Sequence, residues 1–309
     1  MPPPESNTRA MLPAATPPVA GPRGAHASRG FGLLEMVIAV ALLVGVLAMV
    51  FGSFFNTRRE IDRIGSLVNS RQSARATIQL VERDIRMSGS GWGKMSINYS
   101  NNGTAATWYA VNPGPGSGNN DSLRIVGAWS TATNTTAAVA TATTNLVVAS
   151  VAGLAVNDLI LIVDKAGTVG HLFQITAINS STKTISHATT SSWNVVPSPW
   201  NWPVGGYASG ALVYKIDILS YSVDATNFRR PALVRRSFGG APTVVSYDVT
   251  NFRVWYRMQD GTLTRTPTVS GTGVALVDKV RPVVFTTLAD PRHPTDVDSV
   301  WSEVRPRSF

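Results

Sequence analysis

A long apolar run near the start of the chain limits most strongly what this sequence can fold into. Residues 31–55 form a run of twenty-five residues in which Glu35 is the only charged one. At 1.5 Å per residue, a helix of that length reaches about 37 Å, which is enough to span the hydrocarbon core of a bilayer. The run therefore predicts a membrane-spanning helix over residues 31–57.

Glu35 is the unexpected residue in this run. An ionised side chain at membrane depth costs about 2.5–3.5 kcal/mol on insertion scales, so a glutamate there suggests a function. The alternative is a carboxylate that reaches back to the membrane surface. A cleavable secretory signal fits less well, because its apolar region is about 7–15 residues long and ends in small residues. This run ends instead in Phe54-Phe55-Asn56-Thr57-Arg58-Arg59.

The helical pattern continues beyond the apolar run. Apolar residues recur at steps of three and four, which is typical of an amphipathic helix; they are Ile61, Ile64, Leu67, Val68, Ala74, Ile78, Val81 and Ile85. Gly89-Ser90-Gly91 then provides a stop signal. The pattern predicts one continuous helix over about 31–87, and the segment 58–89 contains its amphipathic half and its end.

The character of the sequence changes to β after residue 90. Residues 96–120 are rich in Asn, Gly, Ser and Thr and are predicted to be a loop. Short β-branched runs then predict strands at 123–126, 146–149, 159–163, 172–178, 211–219, 252–257 and 280–287. The sequence thus predicts an α+β fold, in which a long N-terminal helix packs on a large, mostly antiparallel β head over 90–309. A division of this head into two lobes near 193–207 is an additional hypothesis.

The composition argues against several kinds of chemistry. The chain has no cysteine, which excludes disulfides and thiolate catalysis. The four histidines show no metal-ligand spacing, and no nucleophile elbow appears. We therefore expect neither an enzyme nor a bound cofactor or metal. The net charge of +9 permits attraction to anionic lipid or nucleic acid. The arginines are scattered, however, so nucleic acid is not an expected partner.

The junction between the polar N-terminal segment and the apolar run resembles the processing site of type IV pilins and pseudopilins. In that family a short polar leader ends in Gly, prepilin peptidase cuts after it, and the new N-terminal residue, usually Phe, is N-methylated. Gly30, Phe31 and Glu35 match the last leader residue, the methylated residue and the glutamate at the fifth position of the mature chain. Gly32 departs from the pattern, because the family commonly has Thr there.

The resemblance implies a cleaved leader over 1–30 and a structural role for the rest of the chain. Glu35 of one subunit would neutralise the Phe31 amine of its neighbour in an assembled fibre. The implied partners are prepilin peptidase, other minor pilins, the major pilin, the inner-membrane assembly platform and the lipid bilayer. The implied location is the inner membrane, with a cytoplasmic leader and a periplasmic head, and then the pilus fibre or its tip. A positive-inside count favours the opposite orientation, because arginines at 58, 59, 63, 71 and 75 follow the apolar run and outnumber those at 9, 23 and 29 before it. The cleavage motif is more specific than a charge count, so the periplasmic head is the expected orientation.

Two further segments are similar to PilW-type minor pilins. They are residues 74–89 at the helix end, and 231–236 followed by 248–252 in the head. The favoured function is therefore that of a minor pilin that helps initiate or cap assembly of a type IV pilus. One alternative is a minor pseudopilin of a type II secretion system, of the GspJ kind, which usually has a smaller head. The other is a pilus-tip module that binds DNA or a surface ligand.

Two more sets of residues are candidates for function. Gly45 and Gly52 lie inside the apolar helix, where each costs about 1 kcal/mol relative to Ala. They are predicted either to ease local unwinding during assembly or to allow a close helix contact. The second set contains the aromatic residues Trp193, Trp200, Trp202 and Tyr207. If exposed, these rings could grip a partner; burial against the sheet is the favoured interpretation.

Overall fold

The computed structural model describes residues 32–92, 96–117, 120–129, 132–228, 230–267, 277–287 and 297–306. The chain divides into two units, residues 1–58 and residues 59–309. The helix α1 (Leu33–Arg86) contributes to both of them. Its bounds agree with the helix that the sequence predicts.

In the first unit, the part of α1 before Arg59 exposes every side chain. The exposed residues are almost all apolar, from Leu33 and Leu34 near its start to Phe54 and Phe55 near its end. This part of the helix is long and apolar enough to cross a membrane. The unit therefore fits a single-pass membrane anchor.

In the second unit, α1 packs on the β head through one face. The buried residues of this face recur at steps of one, three and four and lie between Ala74 and Ile85; they are Ala74, Thr77, Ile78, Val81, Asp84 and Ile85. The helix ends before Gly89, which adopts a positive φ and donates its N–H to the Val126 carbonyl at 2.9 Å. The end of the helix is thus fixed to the head by backbone as well as side chains.

The head contains seventeen strands among the described residues. In chain order they are β1 (Ile97–Asn101), β2 (Thr104–Trp108), β3 (Val111–Ser117), β4 (Asn120–Gly127), β5 (Ala132–Asn134), β6 (Leu146–Val147), β7 (Leu159–Val163), β8 (Gly170–Gln174), β9 (Ala177–Asn179), β10 (Thr184–Ser186), β11 (Leu212–Asp224), β12 (Ala232–Arg236), β13 (Thr243–Tyr247), β14 (Val249–Met258), β15 (Leu263–Thr264), β16 (Val277–Thr287) and β17 (Val297–Trp301).

These strands form three sheets. The largest has ten strands, and its main path runs β13-β12-β11-β7-β8-β1-β2, with β4 and β5 also paired to β11 and β3 paired to β4. The smaller sheets are β6-β10-β9 and β15-β14-β16-β17. All pairings between the named strands are antiparallel except that of β1 with β8. The predicted α+β class with a mostly antiparallel head is therefore confirmed.

Three clusters of buried side chains hold the head together. The first joins the buried face of α1 to β3, β4, β11, β12, β14 and β16. The second and third lie on opposite faces of β7, because Leu159 and Leu161 belong to one and Ile160 and Ile162 to the other. A strand buried on both faces needs a continuous apolar run rather than an alternating one. The sequence of β7, Leu-Ile-Leu-Ile-Val, meets this need.

The prediction of a loop over 96–120 is wrong, because β1, β2 and β3 lie there. Asn102 and Gly103 form the two-residue turn between β1 and β2, with φ of 50° and 85°. Asn-Gly is a strong signal for a tight hairpin, since both residues accept a positive φ. The abundance of Asn, Gly, Ser and Thr concealed this hairpin signal.

The strand predicted over 172–178 is also wrong in its extent. The chain leaves the ten-stranded sheet after Gln174 and begins β9 of a different sheet at Ala177. Buried Ile175 packs in the third cluster between the two strands. The other predicted strands all overlap observed ones, and the division into two lobes stays a prediction.

We expect residues 59–309 to fold without the first 58 residues, because the exposed apolar half of α1 contributes nothing to the three clusters. The truncated protein should be monomeric, with far-UV circular dichroism dominated by β structure. Circular dichroism and light scattering measure both properties. A chain that starts at residue 88 is the matched control. It lacks the buried face of α1 and should not fold, and a helix-dominated spectrum of 59–309 would contradict the expectation.

Candidate functional site

The N-terminal end of α1 is capped by Glu35. The Met36 N–H donates to the Gly32 carbonyl at 3.2 Å, which makes Gly32 the N-cap residue. The Gly32 N–H in turn donates to Oε2 of Glu35 at 3.3 Å. This is the carboxylate half of a capping box. Because Gly32 has no side chain, the glutamate supplies the side-chain part of the cap.

The surroundings of Glu35 make its charge costly in lipid. Leu33, Leu34, Met36 and Val37 are all well exposed next to it, so a single carboxylate stands in an apolar surface. The free N–H groups at a helix start favour a negative charge there. Glu35 is the third residue of α1. A carboxylate in this first turn is tolerated better than one farther along the apolar helix. The other two residues of the predicted processing site, Gly30 and Phe31, lie outside the described residues.

Gly45 and Gly52 both lie within the unbroken helix α1. A Cβ atom added at either position would meet nothing within 4 Å in the described chain. No contact inside the subunit therefore requires glycine at these positions. Small residues in membrane helices allow a second helix to approach closely. The predicted roles in softening or close contact stay predictions.

The four candidate aromatic residues belong to two different clusters. Trp193 packs in the second cluster, with ring centroids 5.7 Å from Tyr99 and 5.4 Å from Trp108. Trp200, Trp202 and Tyr207 pack in the third cluster. The structure therefore does not bring the four rings together into one surface.

The ring of His171 lies among those of Trp200, Trp202 and Tyr207. Its ring centroid is 4.9 Å from Trp200, 4.8 Å from Trp202 and 5.9 Å from Tyr207. The Tyr207 side chain is 1% exposed, and its hydroxyl lies 2.6 Å from Nδ1 of His171. The indole N–H of Trp202 donates to the Ala140 carbonyl at 3.2 Å. Tyr207 and the ring of His171 are thus core groups, as the favoured interpretation of burial expects.

Sequence reasoning missed a buried polar cluster between α1 and the large sheet. Asp84 is 2% exposed, and its Oδ2 accepts hydrogen bonds from the Tyr221 hydroxyl at 2.6 Å and from Nε of Arg235 at 2.9 Å. Burial and the bond to Asp84 raise the pKa of Tyr221, so its hydroxyl stays a donor. Burial opposes the charge of Arg235, but Asp84 outweighs it and raises the pKa of the guanidinium.

A signal for this cluster was present in the helix pattern. Asp84 follows Val81 by three residues and Thr77 by seven, so it lies on the buried face. A carboxylate on such a face requires a donor or a cation. The sequence does not identify Arg235 as that cation, because the two residues are far apart along the chain.

The described residues contain no group of three or more His, Cys, Asp or Glu side chains that could hold a metal ion. Comparisons with family models, with curated proteins and with solved structures found no match. Glu35 in its apolar helix and the Asp84 cluster are therefore the features from which a function has to be inferred.

We expect Asp84→Ala to lower the free energy of unfolding of the full chain by about 2–3 kcal/mol. Removing one partner of a buried pair costs about 3–5 kcal/mol, and the Arg235 side chain is 33% exposed, which reduces the loss. Urea unfolding in detergent, followed by circular dichroism, measures this. Asp62→Ala, an exposed change on the same helix, should stay within about 0.5 kcal/mol of the unchanged chain. Equal stability of both variants would contradict the assigned role of the cluster.

Proposed function

We propose that this protein is a minor pilin or pseudopilin, a structural subunit that prepilin peptidase cuts after Gly30 and that then assembles into a fibre. The observation that carries this proposal is the combination of Glu35, which caps the helix start from its third position, with an apolar helix half that is exposed around its whole circumference. The second half of the same helix is anchored in a β-rich head. Pilins and pseudopilins combine these features.

The exposed apolar half of α1 is suited to two successive environments, which are the membrane and the assembled fibre. An apolar surface of this size has to be covered, because its exposure to water is unfavourable in free energy. Lipid can cover it in a single subunit. In a fibre, helices of neighbouring subunits would replace the lipid, and Gly45 and Gly52 would let them approach closely. The same surface would therefore serve both the membrane stage and the assembled stage.

The position of Glu35 explains why a charge would be kept in such a helix. Phe31 is bonded to Gly32, whose N–H contacts the carboxylate. Cleavage after Gly30 would create a cationic amine on Phe31, one residue from that contact. In a low-dielectric fibre core, an amine and a carboxylate are tolerated only as a pair. In this proposal Glu35 pairs with the amine of its own chain or of a neighbour, and pairing with a neighbour favours assembly over the lone subunit.

The Asp84 cluster supports the PilW-type minor pilin within this class. Asp84 lies in the segment 74–89 and Arg235 in the segment 231–236, which are two of the segments that resemble PilW-type proteins. The two residues form an ion pair of 2.9 Å that joins α1 to the large sheet. One contact thus gives a physical reason for both resemblances. The tip-binding alternative has less support, because Tyr207 is buried and the three tryptophans pack against core clusters.

The first expectation is that the mature chain begins at Phe31 and that its amine is methylated. N-terminal sequencing and mass spectrometry of protein from cells with and without prepilin peptidase test both points. Gly30→Ala should block the cut, whereas Gly32→Ala should leave it intact because residue 32 lies beyond the scissile bond. Identical, uncut chains in both kinds of cell would overturn the proposal.

The second expectation is that Glu35→Gln keeps membrane insertion and cleavage but impairs assembly. The neutral side chain enters lipid more easily, whereas a buried amine without a counter-charge costs about 3–5 kcal/mol in the fibre. Co-purification with other fibre subunits, together with pilus counts, measures assembly. Glu60→Gln, on an exposed turn of the same helix, is the matched control and should assemble normally. Normal recruitment of the Glu35→Gln chain would mean that the carboxylate only reaches the membrane surface.

A further inference from the structure

Two buried histidines pack against aromatic residues of the third cluster of the head. The ring of His171 is fully buried, and the side chain of His187 is 4% exposed. His187 stacks against Phe173, with ring centroids 4.3 Å apart, and Phe173 also contacts Trp200 and Trp202. One aromatic group thus surrounds both imidazoles.

Each imidazole has one ring nitrogen without a hydrogen-bond partner. His171 uses Nδ1 for the Tyr207 hydroxyl, while its Nε2 is buried and unpaired within the described chain. His187 uses Nε2 for the Thr144 carbonyl at 2.9 Å, while its Nδ1 is buried and unpaired there. A neutral imidazole donates one hydrogen bond and a charged one donates two. Protonation would therefore leave a buried N–H at each site without a partner from another residue, which favours the neutral form.

The region around the imidazoles has little charge that could neutralise an added proton. The segment 187–207, which covers them, contains no Asp, Glu, Lys or Arg, and neither do β1, β8, β9 and β10. Charged side chains do occur on or next to β7, β10 and the first half of β11, which carry residues of the third cluster; they include Asp158, Asp164, Lys165, Lys183 and Lys215.

The two carboxylates in this set are already engaged. Asp158 pairs with Lys215 at 2.6 Å. Asp164 accepts hydrogen bonds from the hydroxyl of Thr168 at 2.7 Å and from the N–H of Val169 at 2.9 Å. Neither forms an ion pair with an imidazole. Burial accordingly lowers the pKa of His171 to about 4 and also lowers the pKa of His187.

The covering segment is held by single hydrogen bonds and by aromatic packing rather than by a ladder of backbone bonds. It contains no helix or strand, and Asn194 bonds the backbone of Gln174 at 2.8 Å through both amide atoms of its side chain. At its other end, Tyr207 pairs with Val139 in an isolated bridge. Segments without a continuous backbone ladder open locally at a lower free energy than the whole fold.

We propose that residues 187–207 form an acid-sensitive cover, which opens as a unit when His171 and His187 are protonated and exposes Trp200, Trp202 and Tyr207 while the core between α1 and the sheet stays folded. Between the lowered histidine pKa values of the closed form and about pH 6.5, the ordinary pKa of histidine, the open form binds more protons than the closed form. The cover is therefore most secure above pH 6.5 and is lost as the pH falls. This device does not depend on the proposed function.

Hydrogen exchange of the full chain in detergent, from pH 7 to 4.5, tests the proposal. After correction for the intrinsic rates, the open population of 187–207 should rise up to tenfold per pH unit for each histidine that titrates, and up to a hundredfold for both. Amides of residues 74–85 on α1 should keep their protection over the same range. If the two segments lose protection together, the cover does not open locally and the proposal is wrong.

Variants separate the histidines from other causes of acid opening. His171→Gln and His187→Gln keep hydrogen-bonding groups at both sites but do not titrate, so each should flatten the pH dependence of exchange in 187–207. Lys183→Gln removes a nearby cation without touching either ring and should leave the dependence unchanged. If exchange of 187–207 in the two histidine variants has the same pH dependence as in the unchanged chain, the proposal is wrong. If a Gln variant does not fold, the matching Asn variant, which also does not titrate, takes its place in the same comparison.

Discussion

The need to cover the apolar half of α1 is the constraint on which the other features depend. Between Leu33 and Phe55 this helix exposes its side chains on all sides, and none of the described residues covers them. Such a surface is stable only in lipid or against other helices. A glutamate that caps the helix start, and two glycines that no contact inside the subunit requires, are then understandable as adaptations to a second environment.

The other half of α1 solves a different problem, which is to hold the head in one position on the helix. Its buried face is apolar except for Thr77 and Asp84. Replacing a whole buried ion pair with apolar residues is often neutral or stabilising, whereas removing one partner is costly, so the stability of the fold does not by itself explain why a pair is present here. Asp84 does, however, fix which turn of the helix faces Tyr221 and Arg235. Under the proposed function, neighbouring subunits pack around the first half of this helix, and a fixed register of the head would serve that packing.

Local sequence patterns were sufficient to predict much of the fold. The helix was predictable because its apolar residues recur over many turns, and β7 was predictable to its exact bounds as a continuous apolar run. The hairpin of β1 and β2 was missed because its polar composition outweighed the Asn102-Gly103 turn signal. The extent of β8 was predicted wrongly because β-forming residues continue through Ile175 to Ile178, so the sequence does not show where the chain changes sheets.

The candidate site was predictable only where its residues lie close together along the chain. Glu35 and its neighbours belong to one short motif, whereas Asp84 needs Tyr221 and Arg235 from distant strands. The two buried histidines showed no metal-ligand spacing, so nothing in the sequence distinguished them. Their shared aromatic environment arises from the fold, because β8, the end of β10 and the segment before β11 meet only in space.

A photo-crosslinking amino acid in place of Leu43, midway along the exposed apolar half, tests the central claim most directly. The same substitution at Val156, exposed on the head, serves as the control. The account predicts that Leu43 adducts contain other prepilin-type subunits in cells that assemble fibres, and that these adducts disappear without prepilin peptidase, when only lipid surrounds the helix. Adducts that are the same with and without the peptidase, or that contain no such subunit, would contradict it.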